Sequence, residues 1–437
     1  MSEVITKPSF PDLVRTFLRI GLLSFGGPAG QIALMHRVLV DEKRWIDEPR
    51  FLNGLNFCML LPGPEAMQLA TYIGWLLHGV RGGLVAGALF VLPGFFVILG
   101  LSMIYVLFQG APWFTGVFFG LKAAVLAVVI EALIRVARRS LKTTTAYWLA
   151  GLSFLALFAF RVPFPLVVLA AGAIGYGLER AGPAVPGFQA RPAAEAAPGA
   201  AAGGSIRMLL VWGGLWAAAF AVVLLLFGAN SVYLSMAGFF SKMAVVTFGG
   251  AYAVLAYVAQ AAVDTFGWLK PGEMIDGLAL AETTPGPLIL VLTFVGFLAA
   301  YRDPGGLSPL AGGIFGAVLT TWVTFVPCFL WIFLGAPYIE RLRQSRALSG
   351  ALAAIGAAVV GVILNLTLWF SLQTLFARVG TVRAGWLAMP LPEWTSLDPL
   401  ALVLAVLAAL LLLVMRIGLA TTLAGTAFLG FIAKMAF

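Results

Sequence analysis

The sequence predicts an all-α polytopic membrane protein made of two homologous halves of inverted topology, with broken or re-entrant helices in each. Three observations predict it. Of 437 residues, 61% are hydrophobic and only 10% charged, where a soluble domain carries roughly 25% charged residues. Runs such as Met208 to Phe227 and Leu400 to Met415 are continuously apolar, which excludes a barrel whose strands alternate over roughly 10 residues. The chain also resembles itself at an offset of 223 positions, with 16 identities in the 67 ungapped positions from Phe17 to Gly83.

The offset aligns Phe25-Gly26-Gly27 with Phe248-Gly249-Gly250, Asp41 with Asp264, Trp45 with Trp268 and Pro62-Gly63-Pro64 with Pro285-Gly286-Pro287. After an insertion in the second half, Pro93 matches Pro327, and Ala123-Ala124-Val125 matches Ala357-Ala358-Val359. The division that follows is a first repeat over 1–180, a linker over 181–207, a connecting membrane helix over 208–228 and a second repeat over 229–437. The linker is mostly Ala, Gly and Pro from Pro183 to Ser205, too poor in large apolar residues to build a core. The connecting helix has no counterpart before the first repeat, and an odd span between two copies inverts the second.

The first repeat opens with four short apolar segments, Leu13–Ser24, Pro28–Leu39, Phe51–Leu61 and Glu65–Leu77. As helix each is roughly 15 to 21 Å long, half of a hydrocarbon core about 30 Å thick. They read as two broken helices or re-entrant hairpins, each interrupted at FGG or PGP, because proline lacks an N–H and glycine permits turn dihedrals; broken helices that each span fully are the alternative. Longer segments follow at Leu84–Phe108, Phe114–Val136, Thr144–Phe160 and Pro163–Leu178, and in the second repeat near Leu310–Pro337, Leu348–Phe370, Leu400–Met415 and Ile417–Phe437. With the second copy inverted, most basic residues, among them Arg37 to Arg50, Arg135 to Lys142 and Arg341 to Arg346, fall on the cytoplasmic side, as the positive-inside rule expects.

The formal charge of +9 is thereby accounted for by membrane orientation, and no nucleic-acid partner is expected. Cys58 and Cys328 have no metal-ligand spacing, and His36 and His78 stand apart at predicted helix ends, so neither metal nor cofactor is expected. No removable signal peptide is expected either. HExxH, GxSxG and Walker A motifs are absent, which argues against an enzyme.

Candidate substrate-binding residues come from charge and from the breaks. Arg19 aligns with Lys242, six positions before each FGG, and Lys122 is a further cation in an apolar run; a cation at bilayer depth costs about 2.5 to 3.5 kcal/mol unless it has a use or a partner. Helices that start after Pro62-Gly63-Pro64 and Pro285-Gly286-Pro287 present unpaired N–H groups and a positive dipole end, which suits a small anion. Ser24 and Thr247 add hydroxyls just before Gly26-Gly27 and Gly249-Gly250. Glu65 and Glu282 flank the PGP turns and are candidates for proton coupling. Glu131 is expected to pair with Arg135 one helical turn on.

The ordered combination of SFGGPAGQ, Trp45 and LLPGPEAM within Leu18 to Gly83 resembles the signature region of the chromate ion transporter family. KMAVVTFGGAYAVLAYV from Lys242 and LAETTPGPLILVLTFVGFLAAY from Leu280 are similar to that family's carboxy-terminal half. The resemblance covers nearly the whole chain, in the family's long, two-domain form. It implies a multi-pass protein of the bacterial inner membrane, with antiparallel halves, that exports chromate from the cytoplasm; inverted repeats with broken helices are the pattern of a secondary carrier. Chromate is a tetrahedral dianion of the shape of sulfate, so sulfate or another oxyanion is the alternative substrate. The resemblance assigns no role to Arg19, Lys122, Lys242 or Glu65. Lipid is the other partner, and oligomeric state is open, a homodimer included.

Overall fold

The computed structural model describes residues 8–181, 202–248, 251–336, 346–384 and 387–436. It is helical almost throughout. Among the described residues, six helices are long and apolar enough to cross a membrane, so the chain is a polytopic α-helical membrane protein.

The first copy contains α1 (Phe10–Leu23), α2 (Gly27–His36) with a π-helical continuation over Arg37–Glu42, α3 (Glu48–Cys58), α4 (Glu65–Phe108), α5 (Pro112–Ser140), α6 (Thr144–Phe158) and α7 (Phe164–Ala181). After α8 (Ala202–Phe227) the same order recurs. It runs α9 (Val232–Val246), α10 (Ala251–Gln260) with a π-helical continuation over Ala261–Thr265, α11 (Glu273–Thr283), a 3-10 turn leading into α12 (Val291–Arg302), α13 (Pro309–Gly335), α14 (Arg346–Leu375), α15 (Pro399–Ala409) and α16 (Leu419–Ala436).

Local chemistry sets the starts. Ser9, Asp47, Thr143, Ser231 and Ser308 each accept a backbone N–H through their side chains at the heads of α1, α3, α6, α9 and α13, which satisfies one of the donors a helix start leaves unpaired. Burial follows period: α1 hides Leu13, Thr16, Phe17, Ile20 and Gly21, the stripe of a one-sided amphipathic helix. The duplication extends to irregular bonds. Lys43 N–H bonds to the Val38 carbonyl and Phe266 N–H to the Ala261 carbonyl, both at 2.9 Å and both at equivalent positions of the two π turns.

Three details differ from the sequence expectation. The segment Glu65–Leu77 is not separated from Leu84–Phe108 by a loop: helix resumes at once after a break at His78 and Gly79, where the backbone leaves helical dihedrals. Gly79 adopts φ +62, which costs a glycine little. Helix α8 begins at Ala202, inside the predicted linker, whose residues 182–201 lie outside the described residues. An antiparallel hairpin, β1 (Val379–Ala384) with β2 (Leu387–Pro392), stands between α14 and α15 and has no counterpart in the first copy.

The chain forms two compact units, and neither is a repeat. One comprises Met1–Met103, Ala190–Ala251 and Thr284–Ser345; the other comprises Ile104–Gln189, Tyr252–Thr283 and Arg346–Phe437. Each therefore takes elements from both copies. In the first unit α13 packs against α8, α9 and α12; in the second, α14 packs against α5, α6 and α7, and α16 lies along α5. Gly120 and Gly430 stand at that last crossing, where small residues let backbones approach.

Candidate functional site

The first unit brings together the breaks that the sequence marked. Gly63 of the first PGP donates its N–H to the carbonyl of Thr247, just before the second FGG, at 2.8 Å; Gly286 of the second PGP donates to the carbonyl of Ser24, just before the first FGG, at 2.9 Å. The copies are thus cross-linked through reciprocal bonds. Each carbonyl is one that a helix end leaves without an intrahelical partner, and each donor lies in a turn that proline keeps out of helix.

The turns are close-packed. Gly63 and Gly286 are buried with φ +120 and +91. A Cβ on Gly63 would lie 2.9 Å from both the Cys328 sulfur and Gln68 Nε2, and one on Gly94 would come within 2.1 Å of the Pro285 carbonyl oxygen. Gly94 and Cys328 follow the aligned prolines Pro93 and Pro327, so each PGP turn sits against the other copy's proline-marked helix. Pro62, Pro64, Pro285 and Pro287 frame these two turns. Beyond the first, α4 opens with Glu65 in its first turn, and Gln68 N–H is the first to bond back, to the Pro64 carbonyl at 3.1 Å.

Two glutamines hold the turns, and the sequence reading missed both. Gln31 Nε2 donates to the Gly286 carbonyl at 2.6 Å, and Gln68 Nε2 donates to the Pro62 carbonyl at 2.7 Å. Both side chains are buried, and their Oε1 atoms accept no hydrogen bond among the described residues. Since a carbonyl can only accept, it fixes which way each amide points. The offset could not reveal them, because Val254 and Val291 occupy the equivalent positions of the second copy.

The remaining candidates distribute differently. Ser24 and Thr247 are buried, but their hydroxyls donate back to the Ile20 and Met243 carbonyls of their own helices, at 2.6 and 2.5 Å. Gly26 and Gly27 adopt φ +83 and +70 at the head of α2, with open space where their side chains would be. Gly249 and Gly250 lie outside the described residues. Arg19 is on the exposed face of α1, 3.9 Å from Glu42 with 59% of its side chain exposed, and Lys242 is exposed on α9. Neither cation is on the buried face of its helix that carries Ser24 or Thr247.

In the second unit, Lys122 of α5 forms an ion pair with Asp276 of α11 at 3.2 Å, and the Tyr105 hydroxyl donates to the other carboxylate oxygen at 2.9 Å. Tyr252 donates to buried Glu282 at 2.5 Å. Glu131 pairs with Arg135, as their spacing predicts. His36 contacts Glu48 and Asp41, and His78 lies 2.8 Å from the Pro8 carbonyl.

Apolar spans long enough for a bilayer, duplicated breaks at buried turns and cations set in apolar helices define the class: a polytopic membrane transport protein. The chain belongs to the chromate transporter family, whose profile matches residues 11–176 and 234–431. The unmatched stretch between them holds the linker and all of α8. A chromate transport protein of Pseudomonas aeruginosa is 35% identical over 366 residues, 83% of this chain and 81% of the relative. One from Cupriavidus metallidurans is 30% identical over 83% of each chain. A probable chromate transport protein of Synechococcus elongatus is 28% identical over 92% of this chain and 95% of its own. No solved structure matches the chain.

Proposed function

We propose that this protein exports the chromate dianion from the cytoplasm across the bacterial inner membrane, as a secondary carrier driven by the membrane potential, the proton gradient or both. Membership of the chromate transporter family supports the substrate. The observation that carries the mechanism is the reciprocal bonding of Gly63 to Thr247 and Gly286 to Ser24. Duplicated breaks that interlock at buried turns have the organisation of carriers that move one helix bundle against another, with helix starts turned toward an anion. On this reading the halves are inverted, and the open head of α2 at Gly26-Gly27 and the first turn of α4 after Pro62-Gly63-Pro64 supply backbone N–H groups. Their equivalents in the second copy supply the other side.

The direction is energetically favourable. Two negative charges leaving a cell that is about 100 mV negative inside release roughly 4.6 kcal/mol at about 2.3 per charge. That sustains a gradient of about a thousandfold, at roughly 1.4 kcal/mol per factor of ten. Sulfate has the same shape and charge, so transport of sulfate or another tetrahedral oxyanion is the second reading.

Chromate uptake by inside-out membrane vesicles energised positive inside, with sulfate as competitor, tests both. Protein-dependent uptake that sulfate does not inhibit is expected. Sulfate uptake in its place would move the substrate to the second reading, and channel-like unitary conductance would sink the carrier.

A further inference from the structure

Lys122 stands about ten residues into α5, roughly 15 Å from its start, within a helix whose most apolar window is 61% buried. Its partner Asp276 is 5% exposed, whereas the Lys122 side chain is 30% exposed. The carboxylate is sealed and the cation is open. An ammonium that opened onto lipid at such depth would be costly, which favours water or a ligand beside it.

The repeat does not duplicate this pair. The position equivalent to Asp276 in the first copy is Asn53, and the position equivalent to Lys122 in the second is Gly356. The pair is therefore a feature of one copy only. A buried ion pair also adds little net stability, because desolvation offsets most of the attraction. What the pair does supply is a lysine that is never left bare.

Building on the anion-carrier reading, we infer that Asp276 is an internal stand-in for the transported oxyanion: it neutralises Lys122 in the empty carrier and yields the ammonium to the incoming dianion. The charged and titratable groups around Asp276 are Lys122 from α5, Tyr105 from the end of α4 and, one turn earlier on α11, Glu273. Tyr105 keeps the displaced carboxylate hydrogen-bonded while Lys122 holds the substrate. When the oxyanion leaves, Asp276 re-forms the pair, and the empty protein returns without a naked charge. No proton or covalent step is needed.

The test uses the full-length protein in liposomes, with labelled chromate and, separately, labelled sulfate, and compares net flux with one-for-one exchange. Asp276→Asn places at this position the residue the first copy already carries. It removes the competitor, so KM should fall about tenfold. Net flux should fall by a similar factor because the empty carrier is trapped, while exchange, which never needs the empty form to return, should stay near the wild-type rate. Lys122→Gln should lose both modes. Net flux and exchange lowered alike in Asp276→Asn at unchanged KM would overturn the inference. So would wild-type net flux in the swapped protein with Lys122→Asp and Asp276→Lys, since a pair that works in either order only packs. If the wild type carries sulfate and not chromate, the substrate proposal fails and the Asp276 comparison is decided on sulfate. If it carries neither, both fall.

Discussion

Gly63 and Thr247 are joined by a 2.8 Å bond from the glycine N–H to the threonine carbonyl, which ties the PGP turn of one copy to the FGG break of the other. Gly286 and Ser24 repeat the bond with the copies exchanged. A donor and an acceptor freed by two helix breaks thus satisfy each other where water is excluded, and losing the match would leave both unpaired.

Gly63→Val should therefore abolish flux and lower thermal stability. It combines a left-handed backbone costing about 1 to 3 kcal/mol for a non-glycine residue with contact against Cys328 and Gln68. Gly26→Ala has comparable dihedral strain but open surroundings, so it should keep the fold better. Melting curves of the two purified variants, with flux measured alongside, make the comparison. Equal stabilities would show that the packing around Gly63 is loose.

Gln68→Leu and Gln31→Leu should each destabilise by about 1 to 3 kcal/mol, because each strands a buried turn carbonyl. Gln→Glu at either position should be tolerated better than Leu at low pH, where the protonated carboxyl can donate to that carbonyl, and should lose this advantage as the buried group ionises. Thermal melts at two pH values decide the order of stability, and a Leu variant as stable as wild type would mean the amide is not donating to the turn.

Arg19→Gln and Lys242→Gln should weaken chromate flux while leaving the protein inserted. The Arg19 ion pair is more than half exposed, so its loss should cost under about 1 kcal/mol of stability. Flux assayed at low and high ionic strength separates attraction of the anion from packing. Wild-type flux in both variants would end the idea of paired cations.

If Glu282 exchanges a proton during transport, Glu282→Gln should flatten the pH dependence of flux, and Tyr252→Phe, which removes its 2.5 Å hydrogen bond, should move the midpoint. Glu65→Gln is the parallel test at the head of α4. Rates recorded from pH 5.5 to 8.5 that superimpose on wild type for all three would take these carboxylates out of the mechanism.

The spans and the breaks were legible because they rest on local chemistry: apolar runs, proline without an N–H, and glycine where turns form. The reciprocal pairing was not legible. An internal alignment says which residues are equivalent, and contact between Gly63 and Thr247 is a relation between residues that are not equivalent. Gln31, Gln68 and Asp276 escaped because duplication does not mark them, their mates being Val254, Val291 and Asn53, and because nothing local in the sequence tells a side chain that bonds across helices from a solvated one. Arg19 and Lys242 passed the same search by matching, yet both lie on exposed helix faces. The hairpin from Val379 to Pro392 falls in an insertion of the second copy, where the first offers no template.

The π turns that continue α2 and α10 carry a consequence for helix phase. A π turn holds one residue more than an α turn, and one residue is about 100° of rotation. Were the wide turn at Arg37–Glu42 or at Ala261–Thr265 to relax to α geometry, the helix on one side would swivel by about that angle and present a neighbouring row of side chains. Both copies keep this spare residue between the FGG break and the conserved spacing to their tryptophan, Trp45 or Trp268. Each arm thus has a built-in place to change register without breaking its backbone ladder at any second point.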